Sequence, residues 1–427
     1  MNHIFSTNML EEGMIVADAI RDSKSNMVLL AEGTPLTKNY IDTLKRRGIE
    51  KVAVKLTDKE KTIYELDHNV ISTVDPIIMQ QAQDAINKID GRKPLNEQTV
   101  RETIASAGRI VDSVLLASKF TYKLTDYRLH KEPSEHAVRV AVFSSVVAKK
   151  YNENLDNMML PTEELKRRKI NLQSITLAGM LHEVGRTCED DEIRHAIKEY
   201  LYLGSKFPGL TKEKVAELKE TYDPEFVPYY GYNIIQDNKE LPSDAKVMLL
   251  LSGEDNISGP LKSYQTLKQL SSLDKHIYAS KIINMCSMFD EALMENIKDE
   301  VTLENVFAVL EASISEKRFD RSLLELFTSA VPLYPEGTKV QLHGEINGYA
   351  VVKKNFTDVM NYTRPILLTV PDNRFVDLRR LTTTTVKNVV GDEVKFSKFY
   401  MEKILEQQEQ QLNNAKETTD NSGDGRF

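Results

Sequence analysis

The residues best suited to chemistry are a histidine and a glutamate set side by side in an apolar stretch. Residues 178–186 read Ala-Gly-Met-Leu-His-Glu-Val-Gly-Arg. Ile175, Leu177, Met180, Leu181 and Val184 cover most of the circumference of a helix spanning 170–185. A helix that is apolar on every side is a buried helix. Ionisable groups carried into a core need a partner, a metal ion or a shifted pKa. His182-Glu183 therefore marks either a site or the remnant of one.

A second histidine enters from an earlier helix, at about 134–150. His136 lies in Glu135-His136-Ala137-Val138-Arg139-Val140-Ala141-Val142-Phe143 and shares a helical face with Val140, Phe143 and Val147. It points inward, as His182 does. Two inward imidazoles on consecutive helices, with a carboxylate beside one, can begin a metal centre. The plainer reading of each histidine alone is a satisfied core residue.

The rest of the chain must position these groups. Residues 1–57 read as a small α/β unit, with strand-length runs at 14–20 and 27–30. A helix capped by Thr37 and closed by Gly48 follows, then an alternating strand at Lys51–Lys55. Residues 58–130 read as a charged helical linker. One helix there carries Ile77, Ile78, Ala82, Ala85, Ile86 and Ile89. A second, 97–118, has Ile104, Ile110, Val111, Val114 and Leu115 as its inner face. That stripe suits a homodimer contact or an intramolecular core. Residues 131–330 read as the main helical domain, with later helices near Thr211, Pro228, Ser243, Lys275, Thr302 and Asp320. Residues 335–396 switch to strand character, and Asn347-Gly348 signals a hairpin. Residues 404–427 have the composition of a disordered tail.

Composition narrows the classes. The 427 residues suffice for two or three domains, and 28% charged with 41% hydrophobic residues fits a globular protein. A net charge of −8 argues against DNA or RNA held through phosphates. Cys188 and Cys286 supply neither a disulfide framework nor a thiolate metal site, which suits a reducing cytosol. No apolar run reaches the membrane-spanning length of about 18 residues. The start lacks the pattern of a signal peptide, so a cytoplasmic location is expected.

The order of features carries more than any single one. A His-x-x-Arg-Val-Ala helix at His136 precedes Leu181-His182-Glu183-Val184-Gly185-Arg186. Then come Lys206-Phe207-Pro208-Gly209, Pro228-Tyr229-Tyr230-Gly231, Glu254, Ser258-Gly259-Pro260 and a helix through Phe289-Asp290. This series resembles the HD-GYP family, in which a helical HD domain hydrolyses the bacterial second messenger cyclic di-GMP at a multi-iron centre. The Leu30-x-x-Gly33-x-x-Leu36-Thr37 segment and the strand-rich piece after 335 are similar to pieces that flank such domains.

The resemblance implies a mainly α fold, with an HD-type all-helical domain between the small α/β unit and a small antiparallel β appendage. It also implies a depleted site. The family's His-Asp doublet appears as His182-Glu183, and the lysine after it as Arg186. Where it has further ligands stand Val227, Ser252, Gly253 and Ser287. His136, His182 and Glu183 remain. They suit one divalent ion, iron or manganese, and are too few for the bridged pair that a bimetallic hydrolase uses.

Arg186, Lys206 and Glu254 are the phosphate or nucleotide candidates. Arg186 reads equally as a cation at a helix end, and Glu254 as a solvated carboxylate. The tyrosines at 229, 230 and 232 suit guanine stacking or helix packing. Asp290 reads as a capping or ion-paired aspartate behind a core phenylalanine.

The expectation is a catalytically inactive, cofactor-free receptor or adaptor in bacterial cyclic di-GMP signalling. Its partners would be the dinucleotide, other proteins or a second copy of the chain. The alternatives are a metal-dependent phosphodiesterase and a structural interaction module.

Overall fold

The computed structural model describes residues 2–22, 27–57, 61, 72–89, 95–128, 132–187, 227–252, 273–298, 302–370, 372–391 and 394–396. Lys206, Gly253, Glu254, the helix expected near Thr211, Ser258-Gly259-Pro260 and the tail at 404–427 lie outside the described residues.

Helices begin where short polar side chains can satisfy the first free amides. Thr37 accepts from Tyr40 N and caps α1 (Lys38–Arg46). Asp75, followed by Pro76 at the first position, caps α2 (Pro76–Asn87). Asn96 caps α3 (Glu97–Leu116), Asn171 caps α6 (Leu172–Leu181) and Asp320 caps α11 (Arg321–Ala330). Between these run α4 (Pro133–Asp156), α5 (Thr162–Arg168), α7 (Val227–Ile235), α8 (Ser243–Ser252), α9 (Leu273–Lys298) and α10 (Glu304–Ser315).

The fold is mainly helical, with an α/β unit at the N-terminus and an antiparallel sheet near the C-terminus. In the N-terminal unit β1 (Asn2–Ser6) pairs with β4 (Lys51–Lys55), and β2 (Ile20–Arg21) with β3 (Val28–Leu30). Phe5, Met14, Leu36, Leu44 and Val54 form its own core. Residues 14–19, expected as a strand, make only isolated bridges, Ile15 to Pro35 and Val16 to Val54.

The helical body is built on α4, whose sequence is apolar or small over most of its first sixteen residues and buried accordingly. It packs against α3, α6 and α9. The stripe on α3 is spent inside the chain, where Ala107, Ile110 and Val114 join the core shared with α4 and α6. Leu115, expected on the inner face, is 52% exposed, because the helix ends a residue later. Cys286 on α9 is fully buried, and burial pushes its thiol well above the ordinary range. Among the described residues no helix is long and apolar enough to cross a membrane.

The C-terminal sheet runs β8-β7-β6-β5-β9, antiparallel throughout, with β5 Lys339–His343, β6 Gly348–Lys354, β7 Ile366–Val370, β8 Phe375–Asp377 and β9 Thr385–Val389. Asn347 donates to Gly344 O and Gly348 takes φ +126°, so the expected hairpin forms between β5 and β6. Val340, Leu342, Ala350 and Val352 enter the same apolar core as α10 and α11.

Candidate metal centre

Close helix packing brings the two histidines together. A Cβ on Gly179 would lie 2.8 Å from Ala141 Cα, so α6 crosses α4 at a distance only glycine permits. His136 stands just over one turn before Ala141, and His182 three residues after Gly179. Their Nε2 atoms meet at 3.3 Å and their rings at 5.2 Å between centroids.

The chain leaves α6 at Leu181. His182 and Glu183 therefore form a turn into a short 3-10 stretch, Val184–Thr187, rather than the interior of a helix reaching 185. The start of α7 lies against this turn. A Cβ on Gly185 would fall 1.9 Å from Val227 O, and one on Gly231 would fall 3.3 Å from Gly185 N. The paired glycines let two backbones touch and fix where Glu183 sits.

Each imidazole is held from behind. His182 Nδ1 donates to Gly179 O at 2.7 Å, and His136 Nδ1 donates to Asp290 Oδ2 at 2.7 Å. Asp290, on α9, is fully buried and also accepts from Tyr127 Oη at 2.7 Å and from Arg139 Nε at 2.8 Å. The Arg139 guanidinium lies 4.6 Å from the Tyr127 ring centroid.

Electrostatics follow from these contacts. Burial works against the Asp290 carboxylate, but Arg139 and then His136 more than offset it, and its pKa falls below the ordinary range. Burial disfavours charge on His136 too, yet the hydrogen bond and charge of Asp290 outweigh it and raise the pKa. Burial, reinforced by His136, lowers His182 to about 4. His182 is thus neutral at pH 7, with its Nδ1 proton on Gly179 O and a lone pair on Nε2. The two Nε2 atoms face one another at 3.3 Å, an arrangement that a proton or a metal ion between them would satisfy.

The ligand atoms of His136, His182 and Glu183 all lie within 4.8 Å of one another. Two imidazoles and one carboxylate form a donor set that suits a single divalent ion such as Fe²⁺ or Mn²⁺. Asp290 accepts from His136 Nδ1, the position an outer carboxylate takes behind an imidazole that binds metal through its other nitrogen. Glu183 also accepts from Arg186 Nη2 at 2.5 Å, which places Arg186 as a partner of the doublet.

Ser287 Oγ lies 3.2 Å from His136 Nε2. Val227 is buried and apolar at the start of α7. Ser252 is buried at the end of α8, its hydroxyl turned onto Leu249 O and its carbonyl accepting from Asn284 Nδ2. Tyr229 and Tyr230 are buried among the helices, so neither offers a face for stacking a base.

Two residues gain a role that the sequence reading did not give them. Asp290 orients His136. Glu291, the next residue, brings Oε1 to 3.8 Å from His136 Nε2. Partial burial, with Glu183 nearby, raises the Glu291 carboxyl pKa, although His136 opposes the rise.

No family model and no curated protein matches the chain. Among solved structures, an HDG"Y"P protein from Bdellovibrio bacteriovorus is similar with a TM-score of 0.36 and 15% sequence identity. The match covers 77% of this chain and 98% of that one.

Proposed function

We propose that this chain is an HD-GYP-like signalling protein without phosphodiesterase activity, acting as a receptor or adaptor in cyclic di-GMP signalling. Residues 131–330 would form the HD-GYP-like part, with the units at 1–57, 58–130 and 335–396 attached to it. The observation that carries this reading is the donor arrangement around the facing imidazoles. His136 and His182 meet at 3.3 Å with Glu183 beside them, and a serine hydroxyl stands at the next ligand position. Two bridged ions need more carboxylate and imidazole donors than this set provides.

A second reading, a one-ion phosphohydrolase, is favoured by the Asp290–His136 pair, which is built as support for a metal-binding imidazole. A divalent ion held there would polarise a phosphate and acidify a bound water. His136, His182 and Glu183 would hold it, Asp290 would keep His136 Nε2 aimed at it, and Arg186 would steady Glu183.

The test uses the full chain, with its iron, manganese and zinc content measured. Cyclic di-GMP binding is followed by calorimetry, and turnover of the cyclic and linear dinucleotides by chromatography. The expected result is micromolar binding without turnover. Turnover that is abolished in His182→Ala would overturn the proposal in favour of the enzyme. Neither binding nor turnover would overturn it in favour of a protein-interaction module.

A further inference from the structure

We infer that Glu291 is a fourth protein ligand of a single-ion centre formed with His136, His182 and Glu183. The inference rests on the one-ion capacity described above.

Glu291 stands four residues after Ser287 on α9, and residues so spaced share a helical face. Both reach the same nitrogen. Ser287 Oγ is 3.2 Å from His136 Nε2 and Glu291 Oε1 is 3.8 Å away. The residue between Glu291 and its own helix core is Asp290, which binds the opposite nitrogen of the same ring at 2.7 Å. Asp290 therefore locks α9 in register with His136, and Glu291 inherits that register. A carboxylate lost at 287 is replaced by one a helical turn further on, with a longer arm to cover the distance.

The side chain is free to make the final movement. Glu291 is 54% exposed, whereas His136 is buried and fixed by Asp290. Its ionic contact is with His136 Nε2. A cation would neutralise Glu183 and Glu291 together, two like charges that face one imidazole. Two imidazole nitrogens and two carboxylates make a site for a borderline-to-hard divalent ion, Mn²⁺ or Fe²⁺. The remaining coordination positions are left to water or to a phosphate oxygen.

The experiment titrates Mn²⁺ into the metal-free full chain, reading free Mn²⁺ by electron paramagnetic resonance and the melting temperature alongside. The variants are Glu291→Gln, Glu291→Asp, Ser287→Ala and His182→Ala. Wild type is expected to bind one ion. Glu291→Gln should weaken binding about tenfold or more while the metal-free melting temperature stays unchanged. Glu291→Asp should fall between the two, Ser287→Ala should match wild type, and His182→Ala should abolish binding. Unchanged affinity in Glu291→Gln, or no Mn²⁺ bound by wild type, overturns the assignment and leaves the receptor reading intact. Hydrolysis of cyclic di-GMP by wild type overturns the receptor reading and leaves Glu291 as a ligand.

Discussion

His136 and Asp290 are 154 residues apart in the chain and 2.7 Å apart in the fold, at a point where Asp290 is wholly shielded from water. The contact joins α4 to α9 and does two things at once. It gives a buried carboxylate its charged partners, and it turns one ring nitrogen of His136 toward His182. The same aspartate accepts from Arg139 and Tyr127, so three side chains depend on one charge.

Removing that charge should be costly. Asp290→Asn leaves the buried Arg139 with only the more distant Glu135, 4.0 Å away, and breaking a buried pair from one side costs about 3–5 kcal/mol. Guanidinium denaturation measures it. Arg139→Met should cost a similar amount, and the double variant should cost less than the sum, with a coupling of about 1–3 kcal/mol. Additive losses would show that the two groups act independently.

Two glycines make an opposed pair of predictions. Gly185→Ala drives a methyl group against Val227 O, a backbone atom that cannot rotate away. A loss near the top of the usual overpacking range, about 1–3 kcal/mol, is expected. Gly108→Ala on α3 meets nothing closer than 4.0 Å. Relief of the helix-interior glycine penalty should there give a gain of about 0.5–1 kcal/mol. Thermal melting of both variants decides it, and equal effects would contradict the close approach of α7.

Restoring an acid at the serine position should restore affinity. Ser287→Asp places a carboxylate beside His136 Nε2, and Mn²⁺ affinity measured by calorimetry should rise about tenfold. Adding Val227→His brings a further imidazole to the start of α7 and should raise the stoichiometry toward two. No change in either variant would mean that these positions do not border the centre.

A pH test lies away from the histidine pair. Asp244 on α8 accepts from His276 Nε2 at 2.9 Å and from Lys275 Nζ at 3.4 Å on α9. Partial burial pushes the carboxyl upward, but His276 and then Lys275 outweigh it, and its pKa lies below 3.8. A depressed carboxyl stabilises the fold above its unfolded pKa, and that stability is lost as pH falls through the folded value. Asp244→Asn should therefore cost about 1 kcal/mol at pH 6, a figure kept small by solvent screening. The gap from wild type should narrow below about pH 4. A gap that stays constant from pH 6 to pH 3 would rule out ionisation as its source.

Much of this was legible in local sequence. Thr37 marked the start of α1, helical spacing placed α3 and α11 near Glu97 and Asp320, and Asn347-Gly348 marked the hairpin. His136 and His182 could be aimed inward from helical spacing alone. What escaped was set by distant contacts. Asp290 read as a capping or ion-paired aspartate, and it is ion-paired, but its partners could not be named because they lie more than a hundred residues away in the chain. Glu291 drew no reading for the same reason. The end of α6 was overrun because the doublet's neighbours are apolar enough to continue a helix, while the backbone of α7 occupies the space beside Gly185. Strands β1 and β9 were missed because pairing with β4 and β5, rather than their own composition, makes them strands.

Helix α9 also has a far side. Ser287, Asp290 and Glu291 face the imidazoles, while Phe289 turns away and meets Phe327 of α11 edge-on at 4.9 Å. Phe327 belongs to the same tightly filled interior that underlies β5 and β6. Interiors packed this densely pass a displacement on rather than absorb it. A displacement of α9 at the imidazoles would therefore be passed into the interior that β5 and β6 share, so the two ends of the chain's helical body and its sheet are mechanically one piece along this helix.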